Sequence, residues 1–178
     1  MTRYLALLGS INVGGHRIRM ADLKAAMECA GFANVTTIGA SGNVIFNSDE
    51  TAADALPQRI ATLIADTFDI KTFAIVRTQA ELRQSLSECP FHGAGEDKLV
   101  HVMFLDTQPS PGQFAQLETD HEGRGPEKLA RGTRTLHIDY VDGVAASKLT
   151  KQFIERRLGC RGTARNVNSL RTLIGKFD

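Results

Sequence analysis

The sequence has no tryptophan and only two tyrosines among 178 residues. A sheet that stacks nucleic-acid bases needs exposed aromatics on its central strands; Tyr4 and Phe46 occur, but the full glycine–aromatic signature of an RNA-recognition domain does not. Cysteines are few and odd in number: Cys29, Cys89 and Cys160 form no Cys-x-x-Cys pair and have no histidine at metal-site spacing. A disulfide framework and a zinc site are both disfavoured, and reduced thiols are expected. The five histidines (His16, His92, His101, His121, His137) include no His-x-x-x-His pair, so neither a metal nor a cofactor is expected. No uncharged apolar run approaches the roughly 20 residues a bilayer requires, which excludes a membrane-spanning helix. The opening Met1-Thr2-Arg3-Tyr4 enters a strand-like run without a secretory apolar stretch, giving a cytoplasmic expectation. The internal Ser147-Lys148-Leu149 is no peroxisomal address, because that signal is read at a chain end.

What remains is an ordinary folded composition, 42% hydrophobic and 23% charged, of a size for one large or two small domains. Its net charge of +1 hides an asymmetry. Residues 148–178 hold eight Lys/Arg against two acids, net +6, which leaves −5 for residues 1–147. Lys148, Lys151, Arg156, Arg157, Arg161, Arg165 and Arg171 suit either phosphate or the acidic remainder of the same chain; the internal or solvated reading is preferred.

The hydrophobic pattern alternates strands and helices. Residues 5–8 form a short apolar run, read as a strand buried on both faces. Met20, Leu23, Ala26, Met27 and Ala30 fall at helical spacing, with Gly31 at the position of a left-handed cap. Residues 35–38 and 43–46 read as a hairpin turning through Gly39-Ala40-Ser41-Gly42, 51–68 as a helix, and 71–76 as a fourth strand. This β-α-β-β-α-β order in residues 1–77 predicts a ferredoxin-like unit. Thr78 and Glu81 make a capping box for a short helix, and residues 90–95 interrupt both periodicities, so 78–97 is read as helix and linker. A second round follows in 98–178: a strand at 99–105, a helix at 111–118, a hairpin turning at Gly132-Thr133, a helix at 145–158 and a final amphipathic helix through Val167, Leu170, Leu173, Ile174 and Phe177. No clear fourth strand completes this half. The expected fold is therefore α+β: two ferredoxin-like (α/β-plait) units packed together, the second modified.

Residues 9–16, Gly-Ser-Ile-Asn-Val-Gly-Gly-His, lie between a strand and a helix, where exposed amides cradle anions. Gly9 and Gly14 have phosphate-loop separation, but Gly15 stands where lysine is needed and His16 where a hydroxyl is needed, which rejects a nucleoside-triphosphatase. In a ferredoxin-like sheet this loop and the hairpin at 39–42 share one edge, gathering Asn12, His16, Arg17 and Arg19 with Ser41 and Asn43. Structural roles compete: glycines that allow positive φ, and Ser and Asn side chains that brace turns. Near the C-terminal end, Arg165-Asn166 reads either as an anion-contacting pair or as an ion-pairing arginine beside a helix cap; the cap is preferred for Asn166.

Leu7-Leu8-Gly9-Ser10-Ile11-Asn12-Val13-Gly14-Gly15 and Ser41-Gly42-Asn43-Val44-Ile45-Phe46 resemble the conserved-domain family 1697 of unknown function. Ser147-Lys148-Leu149-Thr150, Glu155-Arg156-Arg157-Leu158-Gly159 and Gly162-Thr163-Ala164-Arg165-Asn166 are similar to its closing pattern. The resemblance implies a bacterial protein of two α/β-plait units with no established activity, and makes Asn12, Ser41, Asn43, Arg165 and Asn166 candidate carry-over positions. The chain departs from the family at Gly9-Ser10, where an Arg-Gly pair is usual, and at residues 38–40, where Tyr-Ile-Gln is usual.

The expected function is non-enzymatic binding of a phosphate-bearing ligand or nucleic acid through Asn12, His16, Arg17, Ser41, Asn43, Arg165 and Asn166. The alternatives are a small-molecule enzyme using a cleft between the units and a protein-interaction module.

Overall fold

The computed structural model describes residues 1–12, 14–15 and 17–178. The chain divides into two compact units, Met1–Glu81 with Phe177–Asp178, and Leu82–Lys176. It is a mixed α+β protein with two four-stranded antiparallel sheets and six α-helices among the described residues.

The first unit runs β1 (Thr2–Leu8), α1 (Met20–Cys29), β2 (Ala33–Ile38), β3 (Asn43–Ser48), α2 (Leu56–Phe68) and β4 (Ala74–Thr78). Its strands lie in the order β2-β3-β1-β4. Register places Tyr4 opposite Phe46 and Ala6 opposite Val44, so the strand period of two puts Tyr4, Ala6, Leu8, Val44 and Phe46 on one face. There they pack with Leu23 and Met27 of α1 and Leu56, Ile60 and Ile64 of α2. Leu5, Leu7 and Ile45 on the opposite face are also fully buried, which accounts for the uninterrupted apolar runs. Helix α2 starts five residues later than the expected Thr51. A 3-10 turn (Ala53–Ala55) precedes it, and Pro57 sits in its first turn, where its missing N–H costs no hydrogen bond.

Helix α3 (Gln79–Ser87) begins with the expected capping box. Glu81 accepts from the Thr78 amide at 2.7 Å, and the Thr78 hydroxyl accepts from the Glu81 amide at 3.3 Å. The second unit continues with β5 (Val100–Leu105), α4 (Pro111–His121), β6 (Lys128–Gly132), β7 (Thr135–Asp139), α5 (Lys151–Leu158), β8 (Gly162–Asn166) and α6 (Val167–Gly175). Its order, β6-β7-β5-β8, repeats that of the first sheet. Strand β8 corrects the expectation that this half lacks a fourth strand: Gly162 to Asn166 pairs antiparallel with Leu105 to His101. Glycine is required at its start, because a Cβ at Gly162 would stand 2.8 Å from the Phe104 carbonyl oxygen.

Helix α5 also starts later than expected, at Lys151. Residues Val144–Ala146 form a 3-10 turn, and the Thr150 hydroxyl caps α5 by accepting from the Phe153 amide at 3.2 Å. Met103, Leu105, Leu136, Ile138 and Tyr140 pack with Phe114 and Leu117 of α4 and with Ile154 and Leu158 of α5. Among the described residues, no helix is long and apolar enough to cross a membrane.

Candidate functional site

The structure brings Asn12, Ser41 and Asn43 to one edge of the first sheet and occupies their polar atoms internally. Asn12 donates to the Ala40 carbonyl at 2.8 Å and accepts from the Ile18 amide at 2.7 Å, tying the β1–α1 loop to the hairpin. Its backbone is left-handed, φ 58°, a conformation asparagine tolerates better than most residues. Asn43 is buried and donates to the Ile38 carbonyl at 3.2 Å and to the Ser41 hydroxyl at 3.3 Å. Gly42 has φ 77°, and a Cβ there would meet Leu8 and Ile11 at 2.9 Å, so the chain passes too close for any larger residue. Thr72 donates its hydroxyl proton to the Gly9 carbonyl. Most of the motif is thereby explained as a brace between loop and turn. Arg17 is exposed, Arg19 lies 3.9 Å from Asp22, and His16 falls outside the described residues.

Arg165 and Asn166 belong to the second unit. Asn166 caps α6, accepting from the Ser169 amide at 2.8 Å. Arg165 donates to the Thr163 hydroxyl at 2.9 Å and the Ala164 carbonyl at 2.8 Å, and burial lowers its pKa to about 10. Much of the basic cluster is answered within the same unit. Arg157 meets Asp120 at 2.8 Å, Arg161 meets Asp106 at 3.0 Å, Arg171 meets Asp97 at 2.6 Å, and Lys151 lies 3.7 Å from Glu155.

The better-formed site is a pocket of about 400 Å³ between the second sheet and the segment leading into α5. Its floor holds His101 and Met103 of β5, Tyr140 at the end of β7, and Gly162 and Ala164 of β8; register places these strands' residues on the same face as the α4/α5 core. Val144, Ser147, Leu149, Thr150, Lys151 and Ile154 close it from above. The small side chain at 164 leaves the space open. A partly apolar wall with a few convergent polar groups is the usual form of a small-molecule site.

The electrostatics of that pocket are set from behind. Ser147 donates its hydroxyl proton to Glu127 Oε1 and accepts from the Leu149 amide at 3.0 Å. The Glu127 side chain is 3% exposed, and its Oε2 lies 3.3 Å from His121 Nε2. Burial pushes the Glu127 pKa up, but the Ser147 hydroxyl, its own backbone amide and His121 outweigh that and hold it below the usual carboxylate range. Burial, with Glu127 nearby, raises the Tyr140 phenol pKa. Burial lowers that of His101, against a hydrogen bond to the Lys98 backbone, so the imidazole is neutral at pH 7. The His101 and Tyr140 rings meet edge to face, centroids 4.9 Å apart.

Two further grooves of this unit are more committed. In one, of about 560 Å³, Glu88 accepts from the Thr133 amide, the Thr133 hydroxyl and Gln84, each at 2.8 Å. In the other, of about 390 Å³, Arg171 is held by Asp97 and lies 3.2 Å from His92. Among the described residues, no group of three His, Cys, Asp or Glu side chains is placed to hold a metal ion.

A family model described as "Protein of unknown function (DUF1697)" matches residues 1–137. The chain belongs to this family. The match takes in the glycine loop and hairpin brace but ends before residues 147–166, so the closing motifs lie outside it. No curated protein matches the chain. Among solved structures, the conserved bacterial protein SP0830 from Streptococcus pneumoniae is similar, with a TM-score of 0.74 at 20% identity, covering 99% of this chain and 98% of that one. At that identity the likeness concerns the fold alone.

The pocket is not assembled by any local pattern in the sequence. His101 is one of five scattered histidines, Tyr140 ends a hairpin, and Ser147-Lys148-Leu149-Thr150 is a motif to which the sequence assigns no role. The available signal was periodic: residues 101 and 103 share a face of β5, and the serine and threonine before α5 both cap amides.

Proposed function

We propose that this protein is a non-enzymatic binder of a small molecule, that the ligand occupies the pocket beneath α5, and that each unit is a ferredoxin-like plait of a bacterial cytoplasmic protein. The order 2-3-1-4 in both sheets supports the plait reading. One observation carries the binding reading: a cavity of about 400 Å³ whose apolar wall ends in His101, Tyr140 and Ser147. Nucleic acid has less support as the ligand, because Arg157, Arg161 and Arg171 already meet carboxylates at 2.6–3.0 Å.

Ligand binding is tested by a fragment screen read from the Met103 methyl signal, with Ala164→Leu filling the cavity. Saturable shifts in the wild type that vanish in a folded Ala164→Leu protein are expected; equal shifts in both overturn the assignment. Turnover of a bound fragment would favour the enzyme alternative.

A phosphate-bearing ligand at the β1–α1 loop is the second reading. Gly14 and Gly15 have positive φ with open space beside their Cα atoms, and Arg17 is exposed nearby in sequence. Titration with inorganic phosphate at two salt concentrations tests it, with Arg17→Ala expected to weaken binding.

A further inference from the structure

We infer that the groove lined by α3 and α6 is a second ligand site, separate from the pocket beneath α5, and that it takes a small organic monocarboxylate with an apolar body. The groove encloses about 390 Å³ and is lined by Arg83, Leu86 and Ser87 of α3, His92 of the turn that follows, and Arg171 and Ile174 of α6. Residues 83, 86 and 87 stand three or four positions apart, as do 171 and 174, so each set shares one face of its helix. Leu86 is half-buried and Ile174 is buried, which gives the groove an apolar surface beside its charges.

Two arginines meet one carboxylate there. Arg171 Nη1 donates to Asp97 Oδ2 at 2.6 Å, while Asp97 Oδ1 accepts from the Gly93 amide at 3.3 Å and lies 3.5 Å from His92 Nδ1. Arg171 Nη2 lies 3.2 Å from the same imidazole nitrogen. These contacts orient the guanidinium and match the charge of Asp97 to Arg171. Arg83 is exposed and has no ion-pair partner among the described residues, so one positive charge of the groove is unanswered. The Ser87 hydroxyl gives its proton to the Gln84 carbonyl at 2.9 Å, which leaves the arginines as the donors. A single unanswered positive charge is balanced by a monoanion, repels a cation, and offers a neutral compound little beyond apolar contact. The guanidinium fork matches the two oxygens of a carboxylate, and Leu86 and Ile174 take the hydrocarbon behind it. Arg83 lies outside the basic cluster of residues 148–178, and only the fold brings it to the groove that Arg171 lines.

The test titrates phenylacetate, phenylacetamide and phenethylammonium, which share a ring and differ in charge, into the full chain at neutral pH, with the Leu86 and Ile174 methyl signals as reporters. Phenylacetate is expected to bind about tenfold more tightly than either of the others, and to weaken as salt rises because Arg83 is exposed. Arg83→Gln should weaken phenylacetate about tenfold while leaving the Asp97–Arg171 pair in place, with circular dichroism confirming the fold. Arg83→Lys should recover only part of that loss, since an ammonium lacks the planar fork. The same titration in Ala164→Leu, which fills the pocket beneath α5, should be unchanged, so this inference and the reading of that pocket fail separately. Phenylacetamide or phenethylammonium binding as tightly as phenylacetate, unchanged affinity in Arg83→Gln, or no shift of the Leu86 and Ile174 signals overturns the inference. Loss of phenylacetate binding in Ala164→Leu overturns it as well, and assigns the carboxylate to the pocket beneath α5.

Discussion

Replacing Asn12 separates a structural brace from a ligand contact. In Asn12→Ala two hydrogen bonds disappear, the 2.8 Å bond to the Ala40 carbonyl and the 2.7 Å bond from the Ile18 amide. Each contributes about 0.5–1.5 kcal/mol. Alanine must also hold φ 58°, which adds about 1 kcal/mol of left-handed strain. The expected loss is about 2–4 kcal/mol, a fall in Tm of about 5–15 °C for a chain of this length. Asn12→Gly forfeits the same bonds without the strain and should lie about 1 kcal/mol above the alanine variant. Urea unfolding monitored by circular dichroism measures both. A loss below about 0.5 kcal/mol in Asn12→Ala would refute the brace, and Asn12 would return to the candidate ligand contacts.

Gly42→Ala forces a Cβ to within 2.9 Å of Leu8 and Ile11 at φ 77°, and should destabilise by about 2–4 kcal/mol in the same assay. Acid should destabilise the protein in two stages. Burial depresses the pKa of His101 and His137, with Glu88 partly opposing this at His137, so the unfolded chain binds more protons below about pH 6.5. Stability then falls with pH from that point down to the folded-state pKa values, by up to about 1.4 kcal/mol per unit for each histidine. The depressed carboxylates Glu88 and Glu127 add a further loss starting below about pH 4.5. Urea midpoints that stay flat between pH 7 and 5 would contradict the first stage. Exposed Cys29 should react with a thiol reagent at pH 8 well before buried Cys89 and before Cys160, whose pKa burial and Asp106 raise to about 11; two equally fast equivalents would contradict this.

The regular elements of the first unit are legible because their signals are local. The apolar runs of β1 and β3, the heptad-like stripe of α2 and the Thr78–Glu81 box each follow from a few neighbouring residues. Strand β8 is not, because Gly162-Thr163-Ala164-Arg165-Asn166 has no alternating large apolar side chains; its pairing with β5 defines it. The start of α5 is displaced because Ala145 and Ala146 are good helix formers, whereas the Ser147 and Thr150 side chains fix the chain by accepting from amides further on. Asn12, Ser41 and Asn43 meet at one polar edge of the first unit, yet residue types alone do not reveal that Asn12 and Asn43 direct their amides to carbonyls of the same turn. Its chemistry thus reads as scaffolding, while the pocket required strand register and the course of a loop.

The central claim, that the second unit binds a small molecule beneath α5, is tested most directly by diffraction from crystals soaked in benzamide. The account predicts ligand density in the cavity over Met103 and Ala164, beneath Leu149 and Ile154. A cavity closed by Leu149 and Ile154, with the benzamide bound elsewhere, would contradict it.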